Sequence, residues 1–363
     1  MSTTSMRALR LTEWGSDPVV TEVPVPEPQG PEVLVEVAAA GLCRTDLHIM
    51  SSPPGVYPYT LPFTLGHESA GRVAALGSEA SGAEIGDPVV VYSRWGCGTC
   101  WQCANGRDNA CVRTHRGPHG GGLGRDGGLA EYLLVPSARY LVPAPGLEPV
   151  RAAPLADAAL TSYHAVKLSL AQLHSESTAV VLGVGGLGHM AVQVLKAITP
   201  ARIVAVDLRD AALEMARAAG ADATLSADGL TAAHVRAETD PDGASVVFDF
   251  VGNSTTLALA AACVAQGGDV TFLGRGGGEL RVAPGLIPYE TTVRMPTWGT
   301  VAELAEVVAL AAAGTIHSET EVYDLDEAVS AYERLRHGDV MGRAVVVPAP
   351  AHAQMSRVRA DLN

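Results

Sequence analysis

The feature that most constrains the fold of this chain is a glycine-rich turn, Gly183–Gly188, with the sequence GVGGLG. An apolar run over Thr178–Leu182 precedes the turn, and apolar residues recur at helical spacing over Leu187–Ile198 after it. A glycine-rich turn alone is weak evidence, because such turns are common. Between a strand and a helix, however, this pattern is typical of a unit that binds a dinucleotide.

The glycines of this turn have separate roles in such a unit. Gly183 permits the tight turn, Gly185 lets the backbone approach the pyrophosphate, and Gly188 allows the helix and strand to pack closely. Gly186 and Leu187 complete the turn, and the free N–H groups at the start of the helix would face the phosphates. The turn therefore predicts a site for NAD or NADP.

Asp207 bears on which dinucleotide binds. It ends the second strand, nineteen residues after Gly188, where a carboxylate hydrogen-bonds a ribose 2′-hydroxyl and repels a 2′-phosphate. We therefore predict NAD rather than NADP. Two alternatives remain, since Asp207 could merely cap the next helix and Arg209 could meet a phosphate.

The alternation of strands and helices extends beyond this unit. Strands are predicted over Arg202–Val206, Ser245–Phe250 and Asp269–Leu273. A helix is predicted over Ala211–Ala219, ending at Gly220. This alternation predicts an α/β fold with a doubly wound parallel sheet.

The chain on either side of this region has a different pattern. Segments such as Glu32–Val37 and Asp87–Tyr92 are predicted strands joined by turns, with no helices between them. A β-rich, barrel-like domain is the simplest interpretation of the first third. After Trp298 come two predicted amphipathic helices, Val301–Ala313 and Leu325–Arg336.

Length and charge bear on the class of protein. A chain of 363 residues is typical of two domains, and its formal net charge of −14 disfavours binding to nucleic acid or to anionic membrane. The first fifteen residues lack the pattern of a signal peptide, and no stretch is long and apolar enough to span a bilayer. We therefore predict a cytoplasmic protein.

Four of the six cysteines form a CxxCxxCx7C cluster: Cys97, Cys100, Cys103 and Cys111. In a reducing compartment, clustered cysteines are more often metal ligands than disulfides, and four thiolates can close a tetrahedral shell around Zn²⁺. Such a zinc is structural, because no position is left for a substrate. The alternatives are an iron–sulfur cluster, which usually has a shorter final gap, and a redox pair, which does not need four cysteines.

Cys43, His67 and Glu68 are candidate ligands of a second metal, although each has an ordinary structural explanation. A lone cysteine is most often a small buried apolar residue, and a lone histidine is most often a satisfied polar group. His67-Glu68 does not begin an HExxH metalloprotease motif, because position 71 is glycine. The residues alone leave this second site open.

From Met6 to Val347 the chain resembles zinc-containing alcohol dehydrogenases of the medium-chain dehydrogenase/reductase superfamily. The matching segments, in order, are Gly41–His48 (GLCRTDLH), Gly66–Val73, Gly77, Gly86-Asp87, the cysteine cluster, the GxGxxG turn and Gly342-Arg343. The resemblance implies a GroES-like catalytic domain, interrupted in sequence by a Rossmann domain, with the active site in the cleft between them. The implied boundaries are 1–157 with 298–347, 158–297 for the Rossmann domain, and a tail at 348–363.

The resemblance also implies roles for single residues. Cys43 and His67 bind the catalytic zinc, with Glu68 as an occasional ligand, and Asp46 orients His67. With the cysteine cluster, this predicts two Zn²⁺ per chain. The other matches are Thr45 and His48 in a proton relay, Arg44 and Arg343 on the NAD phosphates, and Thr161 on the nicotinamide.

The third zinc ligand departs from the pattern of many members, which have a cysteine shortly before a Thr-x-Tyr-His-Ala run. Here the run is Thr161–Ala165 and the ligand position holds Asp157, as in some bacterial members. Zinc accepts a carboxylate ligand, so Asp157 is the predicted third ligand. The alternative is that it only caps the helix that follows.

By the same resemblance, Trp95 lines the alcohol pocket, together with Tyr59, Leu123 and Trp298. Aromatic walls suggest an apolar secondary alcohol, although ordinary core packing would also explain each of them. A polyol or 2,3-butanediol dehydrogenase is a second hypothesis, and a non-catalytic binding or structural protein is a remote third. The family forms dimers and tetramers, and we predict a homotetramer.

Overall fold

The computed structural model describes residues 5–114 and 117–348. The chain divides into two compact units. The first comprises the chain up to Asp157, Thr300–Ala313 and the segment from Ser318 onward, and the second comprises Ala158–Gly299 and Gly314–His317. The predicted tail, apart from Pro348, lies outside the described residues. Within the described ranges, the helices are all too short or too polar to cross a bilayer.

The strands and helices are numbered here in chain order. The strands are β1 (Ser5–Leu11), β2 (Val19–Pro24), β3 (Val33–Gly41), β4 (Phe63–Thr64), β5 (Glu68–Leu76), β6 (Pro88–Val91), β7 (Gly120–Gly121), β8 (Gly124–Arg125), β9 (Tyr132–Val135), β10 (Leu141–Pro143), β11 (Thr178–Leu182), β12 (Arg202–Asp207), β13 (Ala223–Ser226), β14 (Ala244–Asp249), β15 (Val264–Phe272), β16 (Thr292–Arg294), β17 (Thr320–Asp324) and β18 (Arg343–Val347). The helices are α1 (Arg44–Ser51), α2 (Trp101–Ala104), α3 (Pro149–Ala152), α4 (Ala158–Leu168), α5 (Gly188–Ile198), α6 (Asp210–Ala218), α7 (Ala232–Ala237), α8 (Ser254–Cys263), α9 (Val301–Ala312) and α10 (Ala328–His337).

The first unit is built on a seven-stranded sheet in the order β10-β6-β5-β3-β18-β17, with β9 also paired to β3. All of these neighbours are antiparallel except β17 and β18. At one end of the sheet Gly41 of β3 pairs with Glu68 of β5 and with Val345 of β18. The end of β3 and the starts of β5 and β18 therefore meet in one place, although they are distant in sequence.

Close packing of β3 against β5 depends on a glycine. A Cβ atom added to Gly71 would lie 2.0 Å from the carbonyl oxygen of Glu36, far inside contact distance. A separate sheet in the order β2-β1-β4 covers part of the unit, where Met6, Ala8 and Ala130 form a small apolar cluster. The prediction of a β-rich domain is confirmed.

The second unit has a six-stranded sheet in the order β13-β12-β11-β14-β15-β16, and every neighbouring pair is parallel. The order runs outward in both directions from β11, so the direction of winding reverses between β11 and β14. Dinucleotides bind at this reversal in Rossmann folds, at the carboxyl ends of the strands. The strands of this sheet are continuous apolar runs, because both faces of a parallel sheet are covered. Val180, Val204 and Val247 are examples of strand residues buried in the core. The predicted doubly wound sheet is confirmed.

Two sequence predictions are corrected at element boundaries. The helix predicted over Leu325–Arg336 begins three residues later, since Leu325–Glu327 forms a 3-10 turn before α10. The Glu327 carboxylate accepts the Asp324 N–H at 2.9 Å, which tightens the chain before the α-helix starts. The strand predicted from Asp269 begins at Val264 instead, because Gly267 and Gly268 obscured the strand pattern.

Candidate metal centre and cofactor site

Four buried side chains of the first unit could hold one metal ion, namely Cys43, His67, Glu68 and Asp157, whose potential ligand atoms all lie within 4.8 Å of one another. Cys43 follows β3 and caps α1, whereas His67 and Glu68 stand at the start of β5. Pairing of β3 with β5 therefore brings them together across the sheet. Asp157 follows the 3-10 turn 153–156, which packs against both strands.

The donor atoms of this cluster fit zinc. Cys43 Sγ lies 3.4 Å and His67 Nε2 lies 3.7 Å from Asp157 Oδ2. A thiolate and a carboxylate buried this close together would repel each other unless a cation stood between them. Their two negative charges match a divalent ion, and one thiolate, one imidazole and one carboxylate form a donor set that zinc accepts in catalytic sites.

Asp46 orients the His67 ring from the side opposite this cluster. Its Oδ1 lies 3.1 Å from His67 Nδ1, and both side chains are fully buried. Burial by itself lowers the pKa of His67, but the charge of Asp46 and hydrogen bonds with Asp157, Asp46 and Cys43 outweigh it, so the pKa is raised well above its ordinary value. In the neutral form of the ring, a proton on Nδ1 facing Asp46 would leave the lone pair of Nε2 available to a metal.

Arg343 holds the carboxylates of the cluster from the start of β18. Its Nη2 pairs with Glu68 Oε1, its Nε donates to Glu68 Oε2 at 3.3 Å, and Nη2 lies 3.7 Å from Asp157 Oδ2. Arg343 is only 4% exposed. The pair neutralises Glu68, so that carboxylate adds no net charge beside a metal. The predicted role of Arg343 on the NAD phosphates stays a prediction, and its pairing with Glu68 was not indicated by the sequence.

Helix α1 carries the predicted proton relay next to Cys43. The backbone N–H of Thr45 donates to Cys43 Sγ at 3.4 Å. Thr45 and His48 stand three positions apart, which puts them on one face of the helix, and both are partly exposed whereas Cys43 is buried. Arg44, predicted to bind a phosphate, is exposed.

Three of the predicted pocket residues lie around the strands β7 and β8. A Cβ atom on Gly121 would lie 3.0 Å from the Trp95 ring, and one on Gly124 would lie 2.5 Å from the Tyr59 ring, so both rings lie against glycine backbone. Leu123 is buried between these two glycines in sequence. These residues are therefore close to one another in the first unit.

The polar atoms of both rings are engaged within the protein. Trp95 Nε1 donates to the carbonyl oxygen of Tyr92 at 2.8 Å, and Tyr59 Oη lies 2.7 Å from His119 Nδ1. His119 had no role in the sequence analysis, because nothing near it in sequence points to Tyr59. Both aromatic residues are buried, with 8% of each exposed, and their polar atoms are satisfied by other groups of the protein.

The four clustered cysteines form a second potential metal site, in which their sulfur atoms all lie within 4.8 Å of one another. Cys100 Sγ lies 3.4 Å from Cys103 Sγ and 3.9 Å from Cys111 Sγ, and Cys97 Sγ lies 4.0 Å from Cys103 Sγ. Sulfur atoms about 3.8 Å apart are expected in a tetrahedron with Zn–S bonds of about 2.3 Å. The spacing therefore fits a closed tetrathiolate shell, and all six cysteines lack disulfide bonds.

Backbone groups of this lobe favour thiolate at one ligand. The N–H groups of Thr99 and Cys100 lower the pKa of Cys97 to about 6. The Cys100 N–H donates to Cys97 Sγ at 3.3 Å, and the Cys97 N–H donates to Cys111 Sγ at 3.4 Å. Such N–H···S bonds stabilise the negative charge that four thiolates bring to one ion.

In the second unit, the glycine-rich turn joins β11 to α5 at the reversal of the sheet. Gly183 has a φ of 88°, and a Cβ atom on Gly188 would lie 1.9 Å from the Gly183 carbonyl oxygen, so both positions require glycine. A Cβ atom on Gly185 would meet no protein atom within 4 Å, so its backbone borders open space. This geometry fits a pyrophosphate at the helix N-terminus.

Asp207 ends β12 beside this turn. Its Oδ2 accepts the Val184 N–H at 2.8 Å, and its Oδ1 accepts the Arg209 N–H at 3.0 Å. The Arg209 side chain also approaches Oδ1, at 3.3 Å. Asp207 therefore connects the turn to the sheet and also bears a negative charge beside the turn.

Thr161 and Trp298, also predicted site residues, are buried in this unit, and Trp298 has an unusual φ of 56°.

Tyr332 is the residue near the metal cluster that the sequence analysis missed. It lies on α10, and its hydroxyl donates to Asp46 Oδ2 at 2.9 Å. It is separated from Asp46 by 286 positions, and its place in an amphipathic helix marks it only as a core residue. Knowledge that α10 packs against α1 would have been needed to find it.

Two family models match the chain, "Alcohol dehydrogenase GroES-like domain" over residues 29–146 and "Zinc-binding dehydrogenase" over residues 186–313. The chain is 36% identical to an NAD-dependent alcohol dehydrogenase of Sulfurisphaera tokodaii, covering 94% of this chain and 100% of the relative. It is 34% identical to a D-arabinose 1-dehydrogenase (NADP(+)) of Saccharolobus solfataricus, covering 94% and 97%. The crystal structure of the alcohol dehydrogenase of Aeropyrum pernix superimposes with a TM-score of 0.87 at 35% identity, covering 94% and 100%.

Proposed function

Because this chain belongs to the zinc-dependent alcohol dehydrogenase family of the medium-chain dehydrogenase/reductase superfamily, we propose that it interconverts alcohols with ketones or aldehydes by hydride transfer to or from NAD. The observation that carries this proposal is the buried set of Cys43, His67 and Asp157, whose donor atoms converge in a chain that also has a dinucleotide turn. A metal that activates the alcohol and a dinucleotide that accepts the hydride are the two components that this reaction needs.

Cys43, His67 and Asp157 are the proposed ligands of the catalytic zinc. When bound, zinc acts as a Lewis acid and lowers the pKa of an alcohol, as it lowers that of water. The pairing of Glu68 with Arg343 keeps a further carboxylate close to the ligands without adding charge. Arg343 thereby also limits any tendency of Glu68 to replace a ligand.

Thr45 and His48 are proposed to carry the proton of the alcohol toward solvent. They share one face of α1, and Thr45 is tied to Cys43 through its backbone N–H. A hydroxyl can both accept and donate a proton, and a neutral imidazole has one nitrogen that accepts and one that donates.

The second unit is proposed to bind NAD, which supplies a hydride acceptor. The N–H groups at the start of α5 would hold the pyrophosphate, and Asp207 would accept hydrogen bonds from the adenine ribose. Its negative charge disfavours the 2′-phosphate of NADP. Arg44, Arg343 and Thr161 remain proposed cofactor contacts.

An apolar secondary alcohol is the proposed substrate class, with a polyol as the alternative. Tyr59, Trp95 and Leu123 are proposed to line the pocket with ring and alkyl groups, and the polar atoms of both rings already have partners. A polyol would lose its hydration against such walls without regaining hydrogen bonds. Trp298 remains a proposed pocket residue.

We expect phenyl-alkyl carbinols to be oxidised with kcat/KM about 100-fold above sorbitol and 2,3-butanediol. The measurement is the absorbance of reduced nicotinamide, before and after removal of zinc with a chelator and after zinc is restored. Loss and recovery of activity support the proposal. Activity that persists without zinc would contradict the metal assignment, and a preference for the polyols would favour the alternative substrate class.

The proposed metal content is two Zn²⁺ per chain, one at the catalytic set and one in the cysteine lobe. The lobe would be structural, because four thiolates leave no open position. Six cysteines without disulfide bonds also suit a reducing compartment, so we place the protein in the cytoplasm.

A homotetramer is the proposed assembly, and the edge of the second sheet supports association with further copies. β16 is the last strand on that side, and the exposed apolar side chains on and beside it are Tyr289, Val293 and Met295, which are 69%, 37% and 75% exposed. An unprotected apolar edge strand is a typical site of pairing between chains. Antiparallel pairing of two such edges would create a two-fold interface.

We expect Val293→Lys to lower the mass measured by sedimentation from four chains to two or one, because a charge at the strand edge opposes pairing. Val19→Lys is the matched control, since Val19 is also an exposed valine on an edge strand, β2 of the first unit. The control should sediment like the unmodified protein. A tetramer that survives Val293→Lys would exclude this edge as an interface.

A further inference from the structure

Tyr332 is a buried tyrosine whose hydroxyl reaches the hydrogen-bond network behind the proposed zinc ligands. It lies near the middle of α10 and is 1% exposed. Its hydroxyl donates to Asp46 Oδ2 at 2.9 Å. The proposed roles of the ligands and relay leave this hydrogen bond between α10 and Asp46 unexplained.

The two carboxylate oxygens of Asp46 have different partners. Oδ2 accepts the Tyr332 hydroxyl and the backbone N–H of Cys43, the latter at 3.0 Å. Oδ1 is directed at His67 Nδ1, at 3.1 Å. A carboxylate held by two donors on one oxygen cannot rotate freely, so its other oxygen is fixed in the plane where it meets His67. Asp46 is completely buried, and the loss of one donor would not be made good by water.

We propose that Tyr332 is a positioning residue for the catalytic zinc, acting through Asp46 on the orientation of His67. The inference rests on the proposed function, because it requires a metal at Cys43, His67 and Asp157. The hydrogen bond of the Tyr332 hydroxyl goes to Asp46, which is not itself a proposed metal ligand. The contacts run from Tyr332 on α10 to Asp46, and from Asp46 to His67, which is a proposed ligand of the metal.

The Asp46 carboxylate contacts two of the proposed metal ligands, Cys43 and His67. Loss of the Tyr332 hydroxyl should therefore affect the positions of both ligands. Asp46 closes a capping box at the start of α1, in which Cys43 is the N-cap residue. A shift of Asp46 would therefore move the backbone of Cys43 as well as the ring of His67. Partners behind metal ligands typically change metal affinity or activity by 10–100-fold when they are removed.

The test is Tyr332→Phe in the full-length zinc-loaded enzyme, because it removes the hydroxyl and keeps the ring. We expect release of the catalytic zinc to a chelator to be about 10-fold faster. With Co²⁺ in the catalytic site, we expect the visible absorption bands to shift. A change in ligand geometry moves these bands, whereas a loss of packing elsewhere in the core does not.

Tyr140→Phe is the matched control. Tyr140 is a buried tyrosine of the same unit whose hydroxyl donates to Gly96, away from Asp46. It should release the catalytic zinc at the unmodified rate and leave the Co²⁺ bands unchanged.

A double-mutant cycle with Asp46→Asn separates positioning from packing. If Tyr332 acts through Asp46, Tyr332→Phe should change the zinc release rate little once Asp46 is already replaced. Equal release rates and equal Co²⁺ spectra for Tyr332→Phe and the unmodified enzyme would overturn the inference. If the unmodified protein binds no metal at Cys43, the proposed function fails first and the inference falls with it. Metal bound normally with no effect of Tyr332→Phe refutes the inference alone.

Discussion

We expect Cys43→Ala to lower kcat/KM by at least about 10³-fold and to reduce the zinc content from two ions per chain to one. The sulfur of Cys43 lies 3.4 Å from Asp157 Oδ2, so its removal leaves an imidazole and a carboxylate as the proposed protein ligands. Two such ligands hold zinc weakly, and electrostatic activation of the alcohol is lost with the ion. The measurements are steady-state kinetics and metal analysis of the same preparation.

Cys263→Ala is the control for this experiment. Cys263 is also a buried cysteine, but it packs in the apolar core of the second unit. Cys263→Ala should retain both zinc ions and normal turnover, with a loss of stability on the order of 1 kcal/mol from the smaller side chain.

Asp157→Ala should behave like Cys43→Ala if the carboxylate is the third ligand. Loss of activity in Cys43→Ala with both ions still bound would refute the ligand assignment.

A third variant tests the cysteine lobe separately. Cys100→Ala should remove the other ion and lower the thermal unfolding temperature, because the lobe has little apolar core beyond its own sulfurs. Any remaining folded protein should keep its catalytic zinc. The two metal sites would then be distinguished by which property each variant loses.

The parts of the fold that local sequence signals define could be predicted. The strand, glycine turn and helix at residues 178–198 are consecutive in the chain, and their roles depend on backbone geometry that glycine alone permits. The alternating pattern likewise predicted a doubly wound sheet. Short edge strands such as β13 and β16 were not predicted, since four or three residues carry too little periodicity.

The metal centre could not be derived from spacing alone. Cys43, His67 and Asp157 are brought together by the register of β3 against β5 and by a turn that packs on both. No local signal specifies that register, so these residues were grouped through a family resemblance. Tyr332 and Arg343 show the limit of such an inference, because their contacts with Asp46 and Glu68 join opposite ends of the chain.

We expect Asp207→Asn to lower the ratio of kcat/KM with NAD to kcat/KM with NADP by about 100-fold. The change removes the charge that repels a 2′-phosphate and weakens the acceptor for the ribose hydroxyls, and hydrogen bonds to charged groups contribute about 1.5–3 kcal/mol each. Arg209, whose side chain lies 3.3 Å from Asp207 Oδ1, would then be placed to meet the phosphate. Steady-state kinetics with both cofactors measure the ratio.

Two further variants test the role of Asp207 in the choice of cofactor. Asp207 also accepts the N–H groups of Val184 and Arg209, and an asparagine oxygen can keep one of these bonds, so the turn should remain folded. Asp207→Asn combined with Arg209→Ala should lose the activity gained with NADP, because no cation then faces the phosphate. Asp210→Asn removes the same charge from an exposed position at the start of α6 and should leave the ratio unchanged. If Asp210→Asn shifted the ratio as far as Asp207→Asn, net charge rather than the carboxylate beside the turn would determine the cofactor.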